Sequence, residues 1–130
     1  MKHEKTAWVT SSTKNKKDWG EEISWPSILG VHGKILYIKS GHGTCLKYNP
    51  RKNESFYILS GEVIVRYGSE QNVLHNDYNK LIEERLNLGD CLNVQSGCPY
   101  KIIALTDAEV IEIGDQFSDT PIRIEADEEL

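Results

Sequence analysis

Apolar residues in this chain occur in short runs with an alternating pattern, and the runs are separated by turns rich in glycine, proline and asparagine. In the run 55–59, Phe56 and Ile58 share one face of a strand, whereas Tyr57 and Leu59 share the other. The tight Ser60-Gly61 turn is followed at once by a second run, so the two are predicted to form a hairpin. The predicted strands cover residues 35–39, 45–48, 55–59, 62–67, 82–88, 91–94, 100–105, 109–113 and 122–124.

No stretch has a convincing helical period. The nearest candidates, residues 21–25 and 79–85, are both short. Residues 68–81 are polar and are predicted to form a loop or a hairpin tip, and residues 1–16 are predicted to form a loosely held arm. Many brief strands at a spacing of roughly 8 to 12 residues indicate an antiparallel all-β sandwich or barrel. Its core is expected to contain Phe56, Ile58, Val63, Val65, Ile102 and Ala104.

The length of 130 residues suits one domain, and 38% hydrophobic with 27% charged residues is an ordinary globular composition. No apolar run reaches the roughly 18 residues that a membrane helix needs, and the first residues lack a signal-peptide core, so a cytoplasmic location is expected. The formal net charge of -5 argues against a nucleic-acid partner. The three cysteines form no C-x-x-C pair, which favours reduced thiols.

Two stretches carry a more specific pattern. Gly41–Gly61 reads GHGTCLKYNPRKNESFYILSG, and Gly89–Tyr100 reads GDCLNVQSGCPY. They resemble the paired motifs of the cupin superfamily. The resemblance implies a double-stranded β-helix, which is an antiparallel jelly-roll barrel.

Two further segments narrow the resemblance. Residues 17–20 read KDWG, and residues 119–125 read DTPIRIE. The whole set is similar to the small stand-alone cupins that resemble the cupin domain of mannose-6-phosphate isomerases. The similarity covers roughly residues 16 to 127. We therefore assign residues 1–16 to an N-terminal arm, 17–127 to the cupin domain and 128–130 to an acidic C-terminal tail.

The resemblance also implies four inward ligands for a divalent metal: two alternate polar residues, a glutamate and a histidine. Here those positions hold Lys47, Asn49, Glu54 and Tyr100. A protonated lysine has no lone pair, and an amide or a neutral phenol is a weak ligand for a transition metal. No metal or other cofactor is therefore expected. A weaker alternative is a metal held by Glu54 with His42 or His32.

We predict instead that the Lys47 ammonium takes the place of the metal and pairs with the Glu54 carboxylate. Asn49 and Tyr100 would complete a polar cluster that binds a small polar molecule, and Cys45 is a further candidate ligand-binding residue. The alternative is that the cluster only fills the space left by a lost metal.

Three functions remain open. One is a non-catalytic or sensory protein that binds a small polar molecule such as a sugar or a sugar phosphate. Another, implied by the resemblance, is a sugar-phosphate isomerase or epimerase with Tyr100, Glu54 and Lys47 as candidate catalytic groups and Tyr100 as general acid. The third is a structural or assembly module. The apolar outer positions Tyr57 and Leu59 favour a homodimer.

Overall fold

The computed structural model describes residues 4–25, 30–115, 120–125 and 128–129. Thirteen strands and one short helix occur in the described part of the chain. Their bounds, in chain order, are β1 Thr13–Lys17, β2 Gly20–Trp25, β3 Val31–Ile38, β4 His42–Gly43, β5 Lys47–Tyr48, β6 Glu54–Ser60, β7 Val63–Tyr67, α1 Glu70–Leu74, β8 Ile82–Leu86, β9 Cys91–Val94, β10 Tyr100–Ala104, β11 Ala108–Asp115, β12 Ile122–Arg123 and β13 Glu128–Glu129.

The strands form two sheets in which every pairing is antiparallel. The first sheet has the order β1-β2-β3-β11-β6-β9. The second has the order β12-β5-β10-β4-β13, and β7 joins it by pairing with β10 and β8. The predicted antiparallel all-β class is confirmed, and a jelly-roll barrel is consistent with this architecture.

One end of the barrel interior is apolar. On the first sheet, Ile38 and Leu36 of β3 face inward beside Val110 of β11 and Ile58 of β6. The second sheet contributes its own alternate positions to the same cluster. All six predicted core residues are buried, namely Phe56, Ile58, Val63, Val65, Ile102 and Ala104. Burial of this apolar surface is the main force that holds the two sheets together.

The other end of the same inner face is polar. Continuing along β3 in the same alternation, Lys34 and then His32 follow Leu36, and Glu112 follows Val110 on β11. Glu54 begins β6 and is buried. The inward-facing positions of β3 and β11 are therefore apolar at one end of each strand and charged at the other. The candidate site lies at the charged end.

The outer face of the first sheet carries an apolar row. Cross-strand pairing aligns Ile23, Ile35, Ile111, Tyr57 and Cys91 on five neighbouring strands. Tyr57 is 39% exposed, as is Leu59 on the same face. Both residues point outward, as their alternation in the sequence predicts. The homodimer stays a prediction.

The sheet begins earlier than the sequence suggested. Thr13–Lys17 pairs with Gly20–Trp25, so part of the predicted arm is a strand, and β2 is a strand in one of the two segments considered for a helix. Gly20 permits this hairpin, since its φ is +150° and a Cβ there would lie 1.8 Å from the Tyr37 carbonyl oxygen. At the other terminus, Glu128–Glu129 of the predicted acidic tail pairs with β4.

The short helix also differs from expectation. It lies at Glu70–Leu74, inside the segment 68–81 that was predicted as a loop, and it is capped by the Ser69 side chain. The other helix candidate, 79–85, instead leads into β8. No helix in the described residues is long and apolar enough to cross a membrane.

Candidate functional site

A cavity of about 60 Å³ lies between the two sheets at the polar end of the barrel. It brings together Lys47, Asn49, Glu54 and Tyr100, the four positions taken from the motifs. Their roles in binding stay a prediction. The full lining is Trp19, Glu22, Lys34, Leu36, Thr44, Lys47, Asn49, Lys52, Glu54, Phe56, Tyr100, Ile102, Glu112 and Pro121.

The Glu54 carboxylate is the centre of the hydrogen bonding in this cavity. Asn49 Nδ2 donates to its Oε1 atom at 2.7 Å, and the Tyr100 hydroxyl donates to the same oxygen at 2.6 Å. Lys52 Nζ lies 3.5 Å from its Oε2 atom. Burial and the negative charge of Glu112 raise the pKa of Glu54, and the Tyr100 hydrogen bond and the nearby lysines oppose that shift.

The predicted ion pair between Lys47 and Glu54 is wrong. Among the described residues, the lysine within ion-pair distance of Glu54 is Lys52, from the loop that connects β5 to β6. Residues 49–53 form this loop, and the Lys52 side chain lies against the start of β6. Lys47 Nζ instead lies 5.8 Å from the centroid of the Tyr100 ring, within the range of a cation–π contact.

Tyr100 is nearly fully buried, and its ring centroid lies 5.1 Å from that of Phe56 with the two planes tilted by 48°. Burial, followed by the negative charges of Glu54 and Glu112, raises the pKa of Tyr100 well above its ordinary value. The predicted role of this phenol as a general acid requires a lowered pKa. The shift runs in the opposite direction, so Tyr100 stays protonated near neutral pH and acts as a hydrogen-bond donor.

A second polar group adjoins the cavity. His32 Nε2 lies 2.9 Å from Glu112 Oε2, and His32 Nδ1 lies 3.2 Å from the backbone oxygen of Asp115. Burial would raise the pKa of Glu112, but the His32 contact and the nearby lysines outweigh it and hold this pKa below its ordinary value. Lys34 forms an ion pair with Glu22 at 3.0 Å.

Glu112 and Lys34 were missed from the sequence, and His32 was considered only as an alternative metal ligand. The available signal was alternation, because these three residues occupy the same inward phase as the apolar residues of β3 and β11.

Gly114 makes room for His32. In the register of the sheet, Gly114 pairs with His32 on one side and with Glu54 on the other. A Cβ atom at position 114 would lie 2.5 Å from His32 Cε1 and 3.0 Å from the Asn53 carbonyl oxygen. Any larger residue would therefore displace the imidazole, and only glycine lets the ring lie across β11 toward the two carboxylates.

The four motif positions do not fit a metal. The Lys47 ammonium has no lone pair, and Tyr100 and Asn49 both donate hydrogen bonds to Glu54. His42 contacts the Ser40 backbone oxygen at 3.2 Å and does not line the cavity, so the alternative that joined it to Glu54 is not supported. Cys45 is buried, but it is not part of the cavity lining either.

Another group of side chains has atoms that can ligate a metal ion. Among the described residues, ligand atoms of His32, Glu54 and Glu112 all lie within 4.8 Å of one another. This donor set, an imidazole and two carboxylates, suits a divalent transition metal.

No protein-family model matches the chain, and no curated protein matches it. Solved structures do match. The oxalate decarboxylase of Bacillus subtilis, studied for its Mn(II) centres, superposes with a TM-score of 0.72 at 18% identity over 92% of this chain. The fold is that of the cupins.

Two other cupin neighbours match with similar scores. CapF, a capsular polysaccharide assembling protein of Staphylococcus aureus, has a TM-score of 0.70 at 16% identity over 91% of this chain. KdgF of Halomonas sp. has a TM-score of 0.67 at 13% identity, covering 83% of this chain and 87% of KdgF. The chain described here spans 34% of the oxalate decarboxylase chain and 35% of the CapF chain. The finer similarity to mannose-6-phosphate isomerases stays a prediction.

Proposed function

We propose that this cupin binds a small hydroxylated anion in the cavity between its sheets. The observation that carries the proposal is a buried acceptor without a partner. Asn49 is 4% exposed, and its Oδ1 atom has no hydrogen-bond partner among the described residues, while its Nδ2 atom donates to Glu54. A buried unsatisfied oxygen costs about 1–3 kcal/mol, so a ligand hydroxyl that donates to it gains affinity.

Lys47 supplies the charge for the anion. Lys34 and Lys52, the other two lysines in the cavity lining, form ion pairs with Glu22 and Glu54. No ion pair involves Lys47 among the described residues, and its ammonium lies over the Tyr100 ring. Lys47 and Asn49 alternate along the chain and both line the cavity, so one small molecule can contact both.

The size of the cavity limits the ligand. Its 60 Å³ is well below the roughly 300 Å³ at which drug-sized pockets begin. A two- or three-carbon hydroxy acid suits this volume, whereas a sugar ring or a sugar phosphate would require the sheets or the cavity mouth to separate. The carbohydrate context of CapF, which assembles capsular polysaccharide, supports including sugar phosphates in the same tests.

Isothermal titration calorimetry with glycolate and with mannose 6-phosphate tests the proposal. We expect glycolate to bind, and we expect the affinity to fall at least tenfold in both Lys47→Gln and Asn49→Leu. Lys80→Gln is the matched control, because the Lys80 side chain is 82% exposed and lies outside the cavity. Unchanged glycolate affinity in Lys47→Gln would contradict the proposal.

The same samples separate the other two functions. Turnover of mannose 6-phosphate would favour an isomerase or epimerase. If neither compound binds and the two cavity variants change only the free energy of unfolding, the barrel is a structural module.

A further inference from the structure

We propose that His32, Glu112 and Glu54 form a binding site for a divalent transition-metal ion, displaced from the positions at which the cupin motifs would place one. The site goes beyond the small-molecule function proposed above and does not depend on it. Glu54 and Glu112 also line the cavity of the proposed ligand, whereas His32 does not.

Both nitrogen atoms of the His32 ring face hydrogen-bond acceptors. Its Nδ1 atom faces the Asp115 backbone oxygen, which can only accept a hydrogen bond, so Nδ1 carries a proton. In the neutral ring, the lone pair is then on Nε2, which faces the Glu112 carboxylate at 2.9 Å. Two acceptors at this distance need either a proton or a metal ion between them. A histidine that ligates a metal typically donates its other N–H to a backbone carbonyl in this way.

Three potential metal-ligand atoms converge on one small volume. The ligand atoms of the three residues lie within 4.8 Å of one another, although the residues come from three neighbouring strands, β3, β11 and β6. The side chains of His32, Glu112 and Glu54 are 14%, 7% and 4% exposed. Two buried carboxylates this close repel each other, and a shared divalent ion removes that repulsion.

Gly114 leaves room for the His32 ring beside the two carboxylates, because a Cβ atom at position 114 would lie 2.5 Å from His32 Cε1. Asn49, whose Oδ1 atom has no hydrogen-bond partner among the described residues, lines the cavity together with Glu54 and Glu112.

The lysines around the cavity act against the metal. Lys52 forms an ion pair with Glu54, and the positive charge of Lys34 attracts the Glu112 carboxylate. The ion must also replace the hydrogen bond between His32 Nε2 and Glu112 Oε2. The imidazole ligand favours transition metals over Mg²⁺ and Ca²⁺, which prefer oxygen. We therefore expect Co²⁺ and Zn²⁺ to bind and Mg²⁺ to bind at least tenfold more weakly.

The test is titration of chelator-treated protein with Co²⁺, followed by visible absorption and calorimetry. We expect one ion per chain, with at least tenfold weaker binding in His32→Asn and in Glu112→Gln. His75→Asn is the matched control, because His75 is an exposed histidine at the end of α1. Circular dichroism and thermal melts establish that each variant is folded.

A measurement on the unsubstituted chain removes the dependence on folding of the variants. In ¹⁵N-histidine NMR spectra, stoichiometric Zn²⁺ should shift the Nε2 resonance of His32 and leave that of His75 unchanged. Absence of a His32 shift, or equal Co²⁺ affinity in His32→Asn, would overturn the site and leave a simple hydrogen bond between His32 and Glu112. Lys47→Gln should lose glycolate and keep Co²⁺, so the two proposals fail separately.

Discussion

Tyr100→Phe removes one hydroxyl group from the centre of the site and leaves the rest of the ring in place. That hydroxyl donates to Glu54 Oε1 at 2.6 Å, and both residues are buried. A hydrogen bond to a charged group contributes about 1.5–3 kcal/mol to stability. Phenylalanine retains the ring contact with Phe56, so the substitution isolates the hydrogen bond. We therefore expect a loss of about 1.5–3 kcal/mol in the free energy of unfolding.

For a chain of 130 residues, the average unfolding entropy converts that loss to a fall of about 6–11 °C in the melting temperature. Urea denaturation followed by circular dichroism measures the free energy directly, and the m value should stay unchanged.

Tyr67→Phe is the matched control. The Tyr67 hydroxyl also donates to a carboxylate, that of Glu84, at 2.8 Å, but at the exposed surface. Water replaces the lost partner there, so the change in stability should be close to zero. The reasoning is refuted if the two substitutions cost the same, or if Tyr100→Phe leaves stability unchanged.

Four further predictions concern other parts of the chain. Gly20→Ala should lower the free energy of unfolding in urea by about 2–5 kcal/mol, because its Cβ would meet a backbone oxygen of the facing strand at 1.8 Å. In an alkaline titration followed by ultraviolet absorption, Tyr100 should be the last of the six tyrosines to ionise, since burial raises its pKa. Ellman's reagent should label the exposed Cys91 before Cys98, whose pKa is raised by burial. If a second copy covers the outer apolar row, sedimentation equilibrium should give twice the 14.8 kDa chain mass, and Tyr57→Glu should restore the monomer.

The motif positions were predictable because strand alternation and the motif spacing act together. Glu54 and Phe56 occupy inward positions of one regular strand, and Tyr100 opens another. Their convergence with Asn49 follows from the antiparallel pairing within each sheet and the packing of the two sheets face to face. The partners within the cluster could not be predicted in the same way, because ion pairing depends on how each side chain lies.

Lys52 shows this limit most clearly. It lies in a loop, where no two-residue period indicates the direction of a side chain, and it rather than Lys47 lies within ion-pair distance of Glu54. Strand β1 illustrates another limit. All its residues are exposed, so it has no hydrophobic alternation, and its backbone pairing with β2 leaves no signal in the sequence.

His32 and Glu112 could have been found by extending the period of each strand beyond its last apolar residue. Val110 and Glu112 are consecutive inward positions of β11, and Leu36, Lys34 and His32 are consecutive inward positions of β3. A charged residue that keeps the phase of a buried row is a stronger indication of a site than the same residue in a loop, since burial of a charge requires a partner.

The division of the barrel interior into an apolar and a polar end has a consequence for how this protein can change. The core side chains Ile58 and Val110 do not line the cavity, whereas the polar side chains Lys47 and Asn49 do. Substitutions among the polar residues can therefore alter specificity while the opposite end continues to maintain the architecture. The barrel can thus acquire a new ligand through a few inward replacements at one end, which makes it a suitable scaffold for directed evolution.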